Sequence, residues 1–208
     1  MQVKAGISLL TMYVLERDSK TIFEYDLRLN RVFKRSVDMP TRFEHNFQYI
    51  QTPSNRLFLI GGGDLSKNLP KLVATFEVIN NGTNTFDIVA KDALKHPRHG
   101  HSITCLKDKF LVVTGSRLDT KDAHRTCEQY NVDLDIWFDI PSLNCGRHYH
   151  SSCTLADRFV YVFCGIANST KKYCNAIERY DSSIASQDWQ LINIPALEFP
   201  ERQGAGVS

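Results

Sequence analysis

Apolar residues along the chain come in short runs, and the runs return at a nearly fixed interval. Three of them are continuous and end in glycine: NRLFLIGGG closing at Gly63, DKFLVVTG closing at Gly115 and DRFVYVFCG closing at Gly165. Runs of ~4–8 residues rich in Val, Ile, Phe and Tyr, bounded by Gly, Asn, Asp and Lys, predict strands. Little alternation inside the three runs predicts strands covered on both faces. No segment sustains a ~3.6-residue apolar period between caps, so almost no helix is expected. No window approaches ~18 uninterrupted apolar residues, so no membrane-spanning helix is expected.

The interval resolves into a repeat. Glu24, Glu77, Glu128 and Glu178 stand in IFEYDL, ATFEVIN, TCEQYNV and AIERYDS, 53, 51 and 50 residues apart. A large aromatic follows each: Phe33, Phe86 and Trp137 after nine residues, Trp189 after eleven. An arginine comes next (Arg42, Arg98, Arg147, Arg202), and three residues past the first three arginines stands a histidine (His45, His101, His150), with Ala205 in the fourth copy. Each unit therefore holds four strand-like pieces: one after the Arg, the apolar run, the Glu segment and the Trp or Phe segment. The first unit begins with its second piece, so that Ile7–Glu16, Thr21–Leu27 and Arg31–Val37 are expected strands.

This order resembles the kelch motif: Arg-x-x-His-Ser, an apolar strand ending in Gly-Gly, Glu-x-Tyr-Asp, then Trp. The fullest copy has Arg147, His150, Ser151, Gly165, Glu178, Tyr180, Asp181 and Trp189. The copies diverge: the glycine doublet survives only at Gly61 to Gly63, against Gly115-Ser116 and Cys164-Gly165, and Phe33 and Phe86 replace Trp. The resemblance implies an all-β, kelch-type β-propeller of about four blades of four antiparallel strands, either a small closed ring or an open fragment of a larger propeller. The expected units are 1–41, 42–97, 98–146 and 147–201, with 202–208 the first strand of a further or closing blade. Tyr and Trp are expected to pack as large aromatics between neighbouring blades, and the glycine after strand two to supply a positive φ. The repeated Glu and Arg have two available roles, bonding backbone or one another.

Composition narrows the function classes. The 208 residues carry 25 Lys+Arg against 23 Asp+Glu, a net charge of +2, which argues against a strongly basic nucleic-acid binder and against an acidic tail. The basic run Arg28, Arg31, Lys34, Arg35 alternates with Leu29, Val32 and Phe33 and reads as an outer strand with a solvated face. Six cysteines without a Cys-x-x-Cys fit a reduced, intracellular chain rather than a disulfide scaffold. The apolar stretch Ile7–Leu15 contains Ser8 and Thr11 and no small-residue cleavage site follows, so no signal peptide is expected. Asn81-Gly82-Thr83 and Asn168-Ser169-Thr170 then mark only polar loops. A cytoplasmic location is the expectation.

Three constellations suggest chemistry. His99-Gly100-His101 and His148-Tyr149-His150, with Cys105 and Cys153 nearby, have the i, i+2 spacing of strand metal ligands. They recur once per unit at one repeat offset, so no metal site is expected from them. Cys164, aligned with Thr114 and Ile60, reads as a small core residue rather than a nucleophile. Gly61-Gly62-Gly63-Asp64 lacks the Lys-Ser/Thr of a phosphate loop. No catalytic residue, metal or cofactor is expected.

The function that the resemblance implies is a protein-binding scaffold or adaptor, presenting propeller-face loops to another protein or a short peptide segment, for example in substrate recognition or cytoskeletal association. Neither membrane nor nucleic acid is an expected partner. Family ligand contacts follow the repeat Arg and the strand-two glycines. Carried over, they fall on Phe43, Glu44, His99, Gly100, His148, Tyr149 and Gln203, and on Asp64, Ser116, Arg117 and Ile166. The alternatives are a kelch-like propeller enzyme of metal oxidase or isomerase type, and a structural piece of a larger assembly.

Overall fold

The computed structural model describes residues 11–16, 19–37, 47–62, 73–117, 123–167, 172–184 and 188–192. Among them are seventeen strands and no helix, hence none long and apolar enough to cross a membrane. The strands follow one another as antiparallel meanders. The first comprises β1 (Thr11–Leu15), β2 (Thr21–Asp26) and β3 (Arg31–Val37); the second β4 (Phe47–Gln51), β5 (Leu57–Gly61), β6 (Thr75–Asn80) and β7 (Thr85–Ala90). The third comprises β8 (Ser102–Leu106), β9 (Phe110–Arg117), β10 (Ala123–Asn131) and β11 (Ile136–Ile140). The fourth has β12 (Ser151–Leu155), β13 (Phe159–Phe163), β16 (Ile177–Asp181) and β17 (Gln190–Ile192), interrupted by the small hairpin of β14 (Ile166–Ala167) and β15 (Lys172–Tyr173). A two-residue parallel contact, Ser36↔Thr85 and Val37↔Phe86, joins β3 to β7 and merges the first two meanders into one seven-stranded sheet.

Alternation along the second strands explains how the meanders stack. In β5 every residue is buried. Leu57 and Leu59 pack with Tyr13, Ile22 and Val37 of the first meander, whereas Phe58 and Ile60 pack with Leu111, Val113, Tyr130 and Trp137 of the third. Successive strand residues point to opposite faces, so a strand between two neighbours must be apolar throughout. β9 repeats this, with Leu111 and Val113 facing back and Val112 facing forward onto Val160, Val162, Tyr180 and Trp189. The first strands also touch: β8 packs against both β4 and β12, and Ser102 Oγ lies 2.7 Å from Ser152 Oγ.

β13 departs from the expectation of burial on both faces. Val160 and Val162 are buried, but Phe159, Tyr161 and Phe163 are only half-buried, because among the described residues no further sheet stacks on that side. The aromatic expectation is also refined. Tyr130 and Trp137 are cross-strand neighbours within one sheet, with ring centroids 5.0 Å apart, as are Tyr180 and Trp189 at 5.5 Å. Contact between meanders runs instead through Phe58 edge-on to Tyr130 at 6.0 Å, and through the Trp137 indole N–H, which donates to Thr75 Oγ1 (3.1 Å) and the Asp92 carbonyl (3.0 Å).

The hairpins β8–β9 and β12–β13 use the same tight turn. Lys107 and Asp108 (φ 57° and 52°), and Ala156 and Asp157 (φ 54° and 49°), are all left-handed. Two such central residues match the turn to the twist of the flanking strands. The expected closing strand 202–208 and the start of the first strand, Ile7 to Leu10, lie outside the described residues.

Phe58→Ala removes a fully buried ring shared by two meanders, and is expected to lower unfolding free energy by about 3–5 kcal/mol. Val32→Ala, at a side chain 60% exposed on β3, is expected to change it by less than about 0.5 kcal/mol. Urea unfolding of both variants beside the parent chain measures the difference.

Candidate functional site

The repeat arginine and glutamate find each other in the last two units, and both also bond backbone. Arg98 donates from Nε (3.0 Å) and Nη2 (2.8 Å) to Glu128 Oε1, and from Nη1 to the carbonyls of Gly115 (2.9 Å) and Thr126 (2.8 Å). Arg147 donates from Nη2 to Glu178 Oε1 (2.7 Å), and from Nη1 to the carbonyls of Cys164 (3.1 Å) and Ala176 (2.8 Å). Both pairs have fully buried side chains. The carboxylates are completed by the amides of the preceding connection: Lys95 (2.7 Å) and His96 (3.3 Å) for Glu128, Asn144 (2.6 Å) and Cys145 (3.1 Å) for Glu178. A buried charge pair is tolerated when its remaining hydrogen-bonding capacity is satisfied in this way.

Among the described residues Glu77 also meets cations. It bonds Arg56 (2.7 Å) and Lys91 (3.0 Å), while Glu24 bonds Arg35. Arg42 and Arg202 lie outside the described residues.

The arginine carbonyl explains the glycine. Gly115 has φ +59°, and a Cβ there would stand 2.3 Å from the Arg147 carbonyl oxygen and 2.8 Å from His150 Cε1. Gly61, with φ +69°, faces the Arg98 carbonyl and His101 Cε1 in the same way. His101 and His150 are thus wedges set against the glycine of the preceding unit, and His150 Nε2 also bonds Thr114 Oγ1 at 2.8 Å. Cys164 corrects its sequence alignment. It has φ +61° and its carbonyl receives Arg147 Nη1, so it is the counterpart of Gly115 rather than of Thr114, and it is exposed rather than a core residue.

At this end of the sheets the sequence-proposed contacts converge. Arg117 N–H donates to the His99 carbonyl (2.8 Å), and His148 and Ile166 exchange backbone bonds of 3.2 and 2.9 Å. Ser116 Oγ accepts from the His99 amide at 3.2 Å. Tyr149 N–H donates to the Gly100 carbonyl (2.7 Å), and the tyrosine ring covers Gly100, which has no room for a Cβ. His99, Gly100, Ser116, Arg117, His148, Tyr149 and Ile166 therefore form one cluster. Phe43, Glu44, Asp64 and Gln203 lie outside the described residues. Within the cluster His99, Gly100, Ser116 and His148 are buried, so the surface is made by Arg117 and Tyr149, with Ile166 half-exposed. Burial, then Arg117 and His99, lowers the His148 pKa.

Tyr149 is unusual. It occupies the position of Gly100 in the preceding Arg-x-x-His and adopts the same left-handed backbone, φ +52° against +62°, yet it is a bulky residue 55% exposed. Such residues in that region carry local strain. Nothing in the sequence pattern marks this, because the motif leaves the position unspecified. The amides of Lys95, His96, Asn144 and Cys145 were equally hidden, since backbone donors leave no trace in residue types.

Among the described residues no group of three or more His, Cys, Asp or Glu side chains is placed to hold a metal ion. A scan against protein-family models finds none that matches the chain, and a search of curated proteins finds no match to its sequence.

Two measurements test the buried network. Arg98→Met leaves Glu128 charged and unpaired and is expected to cost about 3–5 kcal/mol, part of which the double variant Arg98→Met/Glu128→Leu recovers; urea unfolding of both reports it. Burial, then Arg147, brings the His150 pKa down to about 3 from an ordinary 6.5, and His101 shifts in the same direction through burial, then Arg98. The folded chain keeps both neutral while the unfolded chain takes up protons below pH 6.5. Stability is therefore expected to fall as pH drops from 6.5 toward 3, by up to about 1.4 kcal/mol per pH unit for each histidine. Unfolding midpoints between pH 7 and pH 4 measure the slope, which His150→Gln reduces.

Proposed function

We propose that the chain is a kelch-type β-propeller segment of four blades that acts as a protein-binding scaffold in the cytoplasm, using the Arg117–Tyr149 end of the sheets to hold another protein or a short peptide. Several features support the blade reading. Four-stranded antiparallel meanders recur in chain order, their first strands lie side by side, and the Arg, Glu and Gly of the repeat meet in equivalent contacts.

The observation that carries the binding role is Tyr149. A tyrosine held in a left-handed conformation, with glycine in the sister position, costs stability that a structural role does not require. Its ring is exposed at the end of the sheets where Arg117 is also exposed, and Tyr and Arg are the side chains that most often anchor protein interfaces. The backbone beneath them is fixed by the buried Arg–Glu pairs, so the surface is presented without a large ordering cost.

The test separates strain from recognition. Tyr149→Gly is expected to leave the chain as stable as the parent or more stable by up to about 1 kcal/mol, because the left-handed strain is released. The same variant, and Arg117→Ala, are expected to lose the partner recovered by proximity labelling and affinity capture with the parent chain. Leu134→Ala, at an exposed turn at the far end of β10, retains it. A partner kept by both Tyr149→Gly and Arg117→Ala, or stoichiometric copper or zinc in the purified protein, would overturn the reading.

A further inference from the structure

Beside the Arg147–Glu178 contact two thiols meet. Cys174 Sγ lies 3.1 Å from Cys145 Sγ, about 1 Å beyond the ~2.05 Å of a disulfide bond. Cys145 is half-buried in the connection between β11 and β12; Cys174 is buried, immediately after β15. Both backbones are pinned. The Cys145 amide donates to Glu178 Oε1 (3.1 Å), its carbonyl accepts from Arg147 Nε (3.4 Å), and the Cys174 amide donates to the Gly165 carbonyl (2.9 Å). The two sulfurs are therefore held together by the fold rather than by a local motif, since 29 residues separate them in the chain.

We propose that Cys145 and Cys174 are a reversible redox pair that closes to an intramolecular disulfide when glutathione disulfide is supplied. Cys145, the more accessible thiol, attacks glutathione disulfide as its thiolate, forming a mixed disulfide and expelling one glutathione thiolate. Cys174 then attacks the Cys145 sulfur and expels the second. The two protein thiols lose two protons and two electrons, and one glutathione disulfide becomes two glutathiones. Burial and the neighbouring Cys174 raise the Cys145 thiol to about 11, so the attacking thiolate is scarce at neutral pH and closure is slow there. Once closed, the bond ties the connection before β12 to the start of β16. It thereby anchors the β14–β15 hairpin, whose Ile166 bonds His148 in the binding end.

The experiment uses the full chain, reduced and then incubated with glutathione disulfide, alkylated, and digested without reductant. The expected product is lighter by about 2 Da before alkylation, yields a peptide linking Cys145 to Cys174, and reverts with dithiothreitol. Its rate of formation is expected to rise about tenfold from pH 8 to pH 9. Cys145→Ser and Cys174→Ser each abolish the linked peptide, whereas Cys153→Ser/Cys164→Ser, which removes the two exposed thiols, keeps it. Alkylation of both thiols to the same extent with and without glutathione disulfide, or a link from either to another cysteine, overturns the proposal. The map of the unsubstituted chain decides this even if a serine variant fails to fold.

Discussion

The constraint on which the rest of the structure depends is the buried charge of the repeat arginine. A guanidinium taken out of water must be surrounded on all sides by acceptors. In the third and fourth meanders those acceptors come from separate pieces of chain: the carboxylate of strand three, the carbonyl of the left-handed residue at the end of the apolar run, and the carbonyl two residues before the glutamate. The glutamate in turn gathers amides of the connection that led in from the previous strand. One ion pair thus fixes the entry to a sheet, the exit of its second strand and the register of its third. Any slip in register would leave these buried charges unpaired.

The same residues join one meander to the next. The arginine's own carbonyl and the histidine three residues later press on the glycine of the preceding unit. Arg-x-x-His therefore works in two directions, with its side-chain charge spent inside its own sheet and its backbone and imidazole spent on the neighbour. Burial, then Arg147, lowers the His150 pKa and keeps the ring neutral beside a fixed arginine, which suits a wedge. The apolar clusters between meanders supply the bulk of the attraction, but they are interchangeable in detail: Leu, Val, Phe and Ile all serve on the second strands.

What was legible in the sequence follows from this division. The second strands of the second and third meanders were plain, since a strand covered on both faces must be apolar throughout. The run at Phe159–Phe163 reads identically but is covered on one side only, because composition records what a strand tolerates and not what stacks on it. Glu77 bonds Arg56 and Lys91, neither of them a repeat arginine. Residue type and spacing do not say which partner a carboxylate meets. Cys164 was aligned one residue off because the turn is defined by a positive φ rather than by a side chain, and a cysteine holds the place that glycine fills elsewhere. The Cys145–Cys174 contact was invisible for a related reason: it joins a segment pinned on Glu178 to one pinned on Gly165, with no local signature. Of the positions after the repeat Arg and after the glycines, those of the third and fourth units lie together, and residue type did not separate their exposed members from the buried ones.

The two ends of the sheets consequently differ in kind. At the end holding Leu106 to Lys109 and Leu155 to Arg158, the turns are local and close with their own backbone bonds, Lys109 to Leu106 and Arg158 to Leu155. At the other end, among the described residues, segments are held by residues from elsewhere in the chain: Arg117 by His99, Ile166 by His148, Tyr149 by Gly100. Left-handed residues occur at both ends, but Lys107-Asp108 and Ala156-Asp157 sit in turns that close locally, whereas Tyr149 is held by Gly100 from another segment. Backbone strain and an exposed ring coincide at Tyr149, where the chain is fixed by Gly100 and by the buried Arg147–Glu178 pair two residues away.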